Sequence, residues 1–212
     1  MKSIAQFILY VTTLFVASTT CSEIIIKPAI EADLDAIHAL TKKCFQKDFA
    51  PILAQTLTIK ENLDCFIDKQ IIKHQGYCQD FLTKQLNQEE YCIMTAHKAP
   101  IEQLGSLIGY CRFYKKNERT IQIGFVGIDG LSRKEGIAKK LIFAAMNKFD
   151  GIRECNFRTF SNYDFINELY SKHGCVNTGT VLLDPNTLEV VTDTINSNAL
   201  ISYNDYSFTI EK

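Results

Sequence analysis

Residues 129–138 read DGLSRKEGIA and separate two segments of different pattern, residues 120–128 and residues 136–149. The first segment is rich in Ile, Val and Phe and predicts a strand, whereas the apolar residues of the second recur at spacings of three and four and predict a helix. A helix start presents backbone N–H groups without intrahelical partners at the positive end of the helix dipole. Gly136 and Ala138 carry almost no side chain, so a phosphate can approach this backbone closely. The stretch therefore predicts an anion site at a strand-to-helix turn.

The segments on both sides of this turn alternate between β-rich runs and amphipathic runs. Runs of adjacent strands favour antiparallel pairing, whereas the crossover through the helix after the turn requires a parallel pair. The chain is therefore predicted to be an α/β protein with a mixed sheet. The predicted strands are residues 23–28, 91–96, 105–114, 120–128, 155–160, 175–183 and 199–209, and the predicted helices are residues 31–45, 57–86 (two helices, or one bent helix broken near Gly76), 136–149 and 163–173.

Length and composition restrict the class of protein. The 212 residues are enough for one domain with a substantial core and too few for two domains of ordinary size. Apolar residues form 46% of the chain and charged residues 22%, which excludes a largely disordered chain and a polytopic membrane protein. The formal net charge is -1, so we expect no overall attraction to nucleic acid.

Residues 1–21 have the pattern of a secretory signal peptide. One positive charge, Lys2, precedes a mostly apolar run at residues 4–17, and a small polar stretch follows. The run is shorter than the roughly 18 to 20 apolar residues of a permanent membrane helix. We expect cleavage, export, no stable membrane association afterwards, and an enzymatic domain at residues 22–212. The alternatives are an uncleaved anchor, or a cytoplasmic protein whose signal does not function.

The cysteines favour a different compartment. Seven of the eight cysteines follow the predicted signal, without a CxxC pair or regular spacing. An odd number cannot be fully paired, and several occupy apolar positions, where cysteine behaves as a small buried hydrophobe. This usage is typical of a reducing compartment and conflicts with an export signal. Delivery into the cytoplasm of another cell is a hypothesis that reconciles the two observations.

Two stretches resemble the signatures of a known enzyme superfamily. The sequence RKEGIA, residues 133–138, is similar to the R/Q-x-x-G-x-G/A motif of the GNAT superfamily of N-acetyltransferases, in which it holds the pyrophosphate of acetyl-CoA. The second stretch contains Asn162, after the predicted fifth strand, and the helix end LYSKHG, which includes Tyr170. The order of predicted elements is also that of the family, so the resemblance covers nearly all of residues 23–212.

The resemblance implies a fold and an activity. The fold is a mixed, mostly antiparallel sheet that splays between its fourth and fifth strands and is flanked by helices. The activity is direct transfer of an acetyl group from acetyl-CoA to an amine, without a metal; the acceptor and the oligomeric state are not indicated. A backbone N–H near Val126 to Ile128 is expected to point at the thioester oxygen. The residues that the resemblance assigns to the cofactor are Val126, Ile128, Arg133, Lys134, Gly136, Ile137, Ala138, Lys139 and Asn162.

Tyr170 is the predicted general acid. A phenol has a reference pKa of about 10, so at neutral pH it can donate a proton to a departing thiolate. The family uses a tyrosine at this position in that role. A packing role is the alternative, because Tyr170 continues a helical spacing of apolar residues. Asn162 also has an alternative role, which is to cap the helix that follows it.

The general base is where the family pattern is incomplete. Many members carry a glutamate on the fourth strand, but residues 120–128 contain no carboxylate. We expect the amine to lose its proton through water or before it binds. The alternative is a catalytically weak or inactive GNAT-fold module that binds CoA or a partner. Gly124 and Gly127 of the same strand fit either a bulge or close packing against the strand.

His74 and Cys78 are the remaining candidates for chemistry. Their spacing of four places both side chains on one face of a helix, where they could ligate a metal. No further pair completes a metal site, so structural roles are favoured for both residues.

Overall fold

The computed structural model describes residues 23–56, 63–99, 107–161, 163–183 and 201–209. The predicted signal peptide and Asn162 lie outside these residues. A π-helical segment, Phe45–Phe49, and two 3-10 turns, Glu31–Asp33 and Gly130–Ser132, accompany the longer elements. The strands are β1 (Ile24–Pro28), β2 (Tyr91–Lys98), β3 (Leu107–Lys115), β4 (Thr120–Ile128), β5 (Glu154–Phe160), β6 (Val176–Leu183) and β7 (Ile201–Thr209), and the helices are α1 (Leu34–Cys44), α2 (Ala50–Thr56), α3 (Leu63–Asn87), α4 (Ile137–Asn147) and α5 (Asp164–Lys172).

The described strands form one mixed sheet in the order β1-β2-β3-β4-β5-β7-β6. Strands β1 to β4 pair antiparallel in sequence, and β4 pairs parallel with β5 after the crossover through α4. Strand β7 lies between β5 and β6 and is antiparallel to both. The predicted mixed sheet is confirmed, because β4 pairs antiparallel with β3 and parallel with β5.

The parallel pair is short, and this shapes the centre of the molecule. Strands β4 and β5 pair only from Thr120 to Gln122 on β4, opposite Glu154 to Asn156 on β5. Beyond these residues β4 remains paired with β3, and β5 with β7. The sheet therefore opens between its fourth and fifth strands, as predicted, and we call this opening the β4–β5 gap.

Helices cover both faces of the sheet because each presents an apolar stripe to it. One face carries α1, α2 and α3 over a core that includes Ile37, Ile71 and Tyr110. The opposite face carries α4 over a second core that includes Phe113 and Leu141, and Tyr170 of α5 packs against this core. The β4–β5 gap thus lies between a face with α1 to α3 and a face with α4 and α5.

Two details resolve alternatives left open by the sequence. Helix α3 continues through Gly76, so the pattern broken near that residue belongs to one helix. The register between β3 and β4 shifts between Arg112 and Phe113, which leaves Gly124 as the additional residue of a bulge. Gly127 instead reflects close packing, because a Cβ atom there would lie 2.9 Å from the Phe125 ring and 3.1 Å from the Tyr110 ring.

The cysteines behave as expected of small hydrophobes. The described part of the chain contains seven of them, all as free thiols, and five are buried. Burial raises the pKa of Cys44, Cys92 and Cys155, so these thiols are protonated and unreactive at neutral pH. No helix among the described residues is long and apolar enough to cross a membrane.

Candidate active site

The turn after β4 is built by local hydrogen bonds and two left-handed residues. The Asp129 carboxylate accepts a hydrogen bond of 3.0 Å from the Leu131 N–H, and the Asp129 carbonyl accepts one of 2.9 Å from the Ser132 N–H. The chain then reverses through Lys134 (φ 71°) and Gly136 (φ 73°). A left-handed conformation strains residues with a Cβ atom, so glycine suits the position immediately before α4.

Helix α4 begins directly after Gly136, and its first turn faces outward. The first helical hydrogen bond runs from the Lys140 N–H to the Gly136 carbonyl at 3.0 Å. The N–H groups of Ile137, Ala138 and Lys139 therefore lie before the first hydrogen bond within the helix. Among the described residues, apart from the two neighbours of Gly136 in the chain, no atom lies within 4 Å of the position that a Cβ at Gly136 would occupy. The structure thus places, at one helix start, the backbone N–H groups that the sequence predicts as the diphosphate site.

The side chains at this helix start differ in what they can contribute. The Ile137 side chain is buried in the core beneath α4, so only its backbone can face a ligand. Ala138, Lys139 and Lys134 are exposed. The Lys139 ammonium lies 5.6 Å from the ring centroid of Phe143 and therefore lies along its own helix.

Arg133 points across the turn to the opposite face of the sheet. Its guanidinium donates a hydrogen bond to the carboxylate of Asp48, in the π-helical segment. This hydrogen bond raises the pKa of Arg133 further, so its guanidinium stays charged at all physiological pH values. The ion pair with Asp48 therefore offsets positive charge that Arg133 would otherwise add to the turn.

Strand β4 directs two N–H groups into the β4–β5 gap. The Asp129 N–H donates to the Ile108 carbonyl of β3 at 2.8 Å, which fixes the side on which this N–H lies. Successive N–H groups of a strand point to opposite edges. The N–H groups of Ile128 and Val126 therefore face away from β3 and toward β5. This is the orientation that binding of a thioester oxygen would need.

Tyr170 lies beside the same gap, on the face of α4. Its ring lies 4.5 Å from the ring of Phe157, the first β5 residue beyond the parallel pairing, and 5.5 Å from that of Tyr206. Burial raises the pKa of Tyr170, and the nearby Cys175 raises it further, so the phenol keeps its proton. This environment is compatible with both the general-acid and the packing interpretation.

Aromatic residues border the gap on its other face. Phe49 of the π-helical segment lies 6.2 Å from Phe125 on β4 and 5.3 Å from Phe160 on β5, measured between ring centroids. No sequence pattern indicates a role for Phe49 or Asp48. The spacing of four between Phe45 and Phe49 was the only local signal, and it does not reveal the strands they contact.

His74 and Cys78 have structural surroundings. The His74 ring packs against Phe45 and Phe125, with centroids 4.8 Å and 5.1 Å away, and burial lowers its pKa to about 3. Within the described ranges, no group of three or more His, Cys, Asp or Glu residues is placed to hold a metal. The structural interpretation of the pair is therefore favoured.

Comparison with known proteins identifies the family. The profile of the acetyltransferase (GNAT) family matches residues 37–174, which include β4, the turn, α4 and α5. The chain belongs to the acetyltransferase (GNAT) family. A search of curated protein sequences finds no match.

Solved structures share the GNAT fold at low sequence identity. The PaiA N-acetyltransferase from Thermoplasma acidophilum, solved with coenzyme A, has a TM-score of 0.59 and 14% identity over 85% of this chain and 98% of that protein. A chimera of the Vibrio cholerae spermidine N-acetyltransferase SpeG and hSSAT has a TM-score of 0.57 and 16% identity, over 89% and 96%. An N-acetyltransferase from Staphylococcus aureus has a TM-score of 0.54 and 20% identity, over 89% and 99%. At these identities the likeness establishes the fold.

Proposed function

We propose that this chain transfers an acetyl group from acetyl-CoA directly to the amine of an acceptor. The observation that carries the proposal is the β4–β5 gap, because N–H donors, an open helix start and a half-buried phenol lie around it. Membership of the acetyltransferase family supports the reaction class. The PaiA structure with coenzyme A shows that a GNAT fold of this kind accommodates CoA.

Each group at the gap has a distinct task. The N–H groups of Val126 and Ile128 would hold the thioester oxygen and stabilise the negative charge that develops on it. The first turn of α4, from Gly136 to Lys139, would hold the diphosphate through its backbone N–H groups. Acetyl-CoA supplies an activated acetyl group as its thioester. Tyr170 would donate its proton to the departing thiolate and regain one, through water, from the amine that has attacked; its raised pKa keeps the phenol protonated until that transfer.

The acceptor amine must be neutral before it attacks. Strand β4 offers no carboxylate from Thr120 to Ile128 for this purpose. The amine would therefore lose its proton to water, or bind as the small neutral fraction present in solution. We infer that activity rises with pH through the neutral range, since the neutral fraction of an alkyl amine rises with pH.

A catalytically weak CoA-binding or partner-binding module is the second candidate. The same lack of a carboxylate on β4 favours it, as does the pairing of Arg133 with Asp48, which leaves that cation less available to a phosphate. Both candidates predict that CoA binds. They differ in whether an acetyl group leaves it.

Titration calorimetry and product analysis separate these candidates. Acetyl-CoA and CoA are titrated into the chain, and a panel of amines is then incubated with acetyl-CoA while free thiol and acetylated amine are measured. Production of both in equal amounts, above the rate without protein, is expected. Binding of acetyl-CoA without thiol release from any amine would support the binding module, and lack of CoA binding would refute both candidates.

We further propose that residues 1–21 direct export, and that the protein acts in the cytoplasm of another cell. The free thiols support the second part, because they fit a reducing compartment that also contains acetyl-CoA.

A further inference from the structure

Arg112 on β3 is a buried cation without an acidic partner in the part of the chain that the structure describes. Its residue is only 5% exposed, and its Nε and Nη1 atoms have no hydrogen-bond partner among the described residues. None of the ion pairs in the described part of the chain includes Arg112. A buried charge without an acid partner is costly, so such residues are commonly retained for a ligand.

Two aromatic rings of α3 lie beside the guanidinium of Arg112. The guanidinium carbon lies 4.9 Å from the ring centroid of Tyr77 and 5.1 Å from that of Phe81, both on α3. Aromatic rings at this distance stabilise a cation but supply no negative charge and no hydrogen-bond acceptor comparable to a carboxylate. His74, which is close enough for Arg112 to lower its pKa, is neutral at physiological pH and supplies no negative charge.

One edge of the guanidinium faces the bulge in β4. A Cβ atom at Gly124 would lie 3.2 Å from Nε and 3.5 Å from Nη2 of Arg112. These two nitrogens form a fork of the kind that binds a carboxylate through two parallel hydrogen bonds; Nε has no partner among the described residues, and the Cys78 thiol makes a side-chain hydrogen bond to the same guanidinium. Gly124 is itself exposed, so solvent reaches the strand beside this fork. The missing side chain at Gly124 therefore leaves a route by which a small anion can reach a buried cation.

This fork lies close to the predicted reaction centre. Gly124 and Val126 are two residues apart on β4, which places their backbones about 6 to 7 Å apart. The Val126 N–H is the group expected to hold the thioester oxygen. A molecule that reached both positions would carry its anionic group only a few bonds from the amine that attacks.

We propose that Arg112 binds the carboxylate of the acceptor, and that the acceptor is a small molecule with a carboxylate near its amine, of the amino acid class. This inference rests on the proposed function, because it identifies the acceptor of that reaction. The Nε and Nη2 fork binds the carboxylate beside Gly124, and the amine extends along β4 toward Val126.

Matched acceptors test the inference. Glycine, alanine and phenylalanine are each compared with the corresponding amide, which has the same amine and side chain but no carboxylate. Two readouts are used: kcat/KM for acetylation, and the shift in melting temperature that each compound causes without acetyl-CoA. For at least one pair, kcat/KM should be roughly 10- to 100-fold higher for the acid than for the amide, because a hydrogen-bonded charge pair contributes a free energy of that size. The acid should also cause the larger shift in melting temperature.

Variants at Arg112 test whether the preference for acids over amides depends on this residue. Arg112→Met should abolish the acid-over-amide ratio, and Arg112→Lys should retain only part of it because lysine lacks the planar fork. Arg158→Met is the matched control, since Arg158 lies on β5 and already pairs with Asp205 at 2.6 Å. This control should leave the ratio unchanged.

Variants at Gly124 test the same fork without removing Arg112. Gly124 is absent from the residues with positive φ, so its backbone conformation suits other residues, and an added Cβ 3.2 Å from Nε requires only a small shift of the flexible Arg112 side chain. Gly124→Asp places a carboxylate on the fork, and Gly124→Ala adds the same Cβ without charge. Gly124→Asp should lower the acid-over-amide ratio of kcat/KM at least tenfold more than Gly124→Ala does.

The outcomes separate this inference from the proposed function. Equal melting shifts and equal kcat/KM for acid and amide in every pair would overturn the assignment of Arg112 while the transferase stands. Acids that stabilise the chain through Arg112, in the absence of thiol release from any amine, would refute the transferase and retain the carboxylate site. A ratio that survives both Arg112→Met and Gly124→Asp would also overturn the assignment.

Discussion

Gly136→Val is the substitution that tests the diphosphate site most directly. The residue has a φ of 73°, a conformation that costs a residue with a Cβ atom about 1 to 2 kcal/mol. No atom lies within 4 Å of the added Cβ, so the protein itself does not clash with it. The branched side chain would instead occupy the space in front of the N–H groups of Ile137 and Ala138, where the diphosphate is expected.

Gly174→Val supplies a control with the same backbone cost. Gly174 follows α5 with a φ of 77°, and it also has no atom within 4 Å of an added Cβ. The two variants should therefore lose similar folding stability. Only Gly136→Val should lose affinity for acetyl-CoA, and loss of one hydrogen bond to a charged oxygen predicts a decrease of roughly 10- to 100-fold.

Calorimetry at a temperature where both variants are folded provides the comparison, with urea unfolding to measure stability. Affinity is expected to fall in Gly136→Val alone, while the free energy of unfolding falls in both. The reasoning is refuted if Gly136→Val binds acetyl-CoA as tightly as the natural chain. It is refuted equally if Gly174→Val loses as much affinity, because the effect would then follow strain rather than the diphosphate.

Three further predictions concern the acid, the buried histidine and the amino terminus. Tyr170→Phe should lower kcat by roughly 100-fold or more while sparing acetyl-CoA affinity, because general acids contribute factors of this size; unchanged kcat would make Tyr170 a packing residue. The pKa of His74 is lowered from 6.5 to about 3 by burial, so the unfolded chain takes up a proton first and stability falls as pH decreases from 6.5 toward 3. His74→Phe should reduce this dependence by up to about 1.4 kcal/mol per pH unit, measured by urea unfolding at several pH values, and an unchanged slope would contradict the assignment. A reporter fused to residues 1–25 should be exported, and its retention inside the cell would remove the basis for the proposed localisation.

The order of strands and helices could be predicted because the spacing of apolar residues indicates the type of each element directly. Strands β2 to β4 are short β-rich runs separated by polar turns, and α4 repeats its apolar residues at helical spacing. The parallel pair then follows from the crossover alone. Local hydrogen bonds and glycine conformations build the turn after β4, so its position was also readable from the sequence.

Side-chain partners across the fold could not be predicted in the same way. Arg133 and Asp48 are separated by 85 residues, and nothing near either of them indicates the other. Arg112 occurs in a mostly apolar strand, and a charged residue is normally expected at the surface. Its burial depends on the aromatic residues that α3 places above it. From the sequence, Gly124 and Gly127 fitted a bulge and close packing equally well. The register between β3 and β4 shows that Gly124 is the residue at the bulge.

The electrostatics of the turn show which part of the sequence signature acts on a phosphate. Lys43 pairs with Asp129 at 3.0 Å, Lys98 pairs with Glu135 at 3.0 Å, and Arg133 pairs with Asp48. These three pairs carry no net charge, and exposed pairs are weakened by salt. The backbone N–H groups at the start of α4 keep their orientation at any ionic strength, because the helix itself fixes them. Affinity for the diphosphate should therefore depend more on Gly136, which keeps this backbone accessible, than on the charge of Arg133.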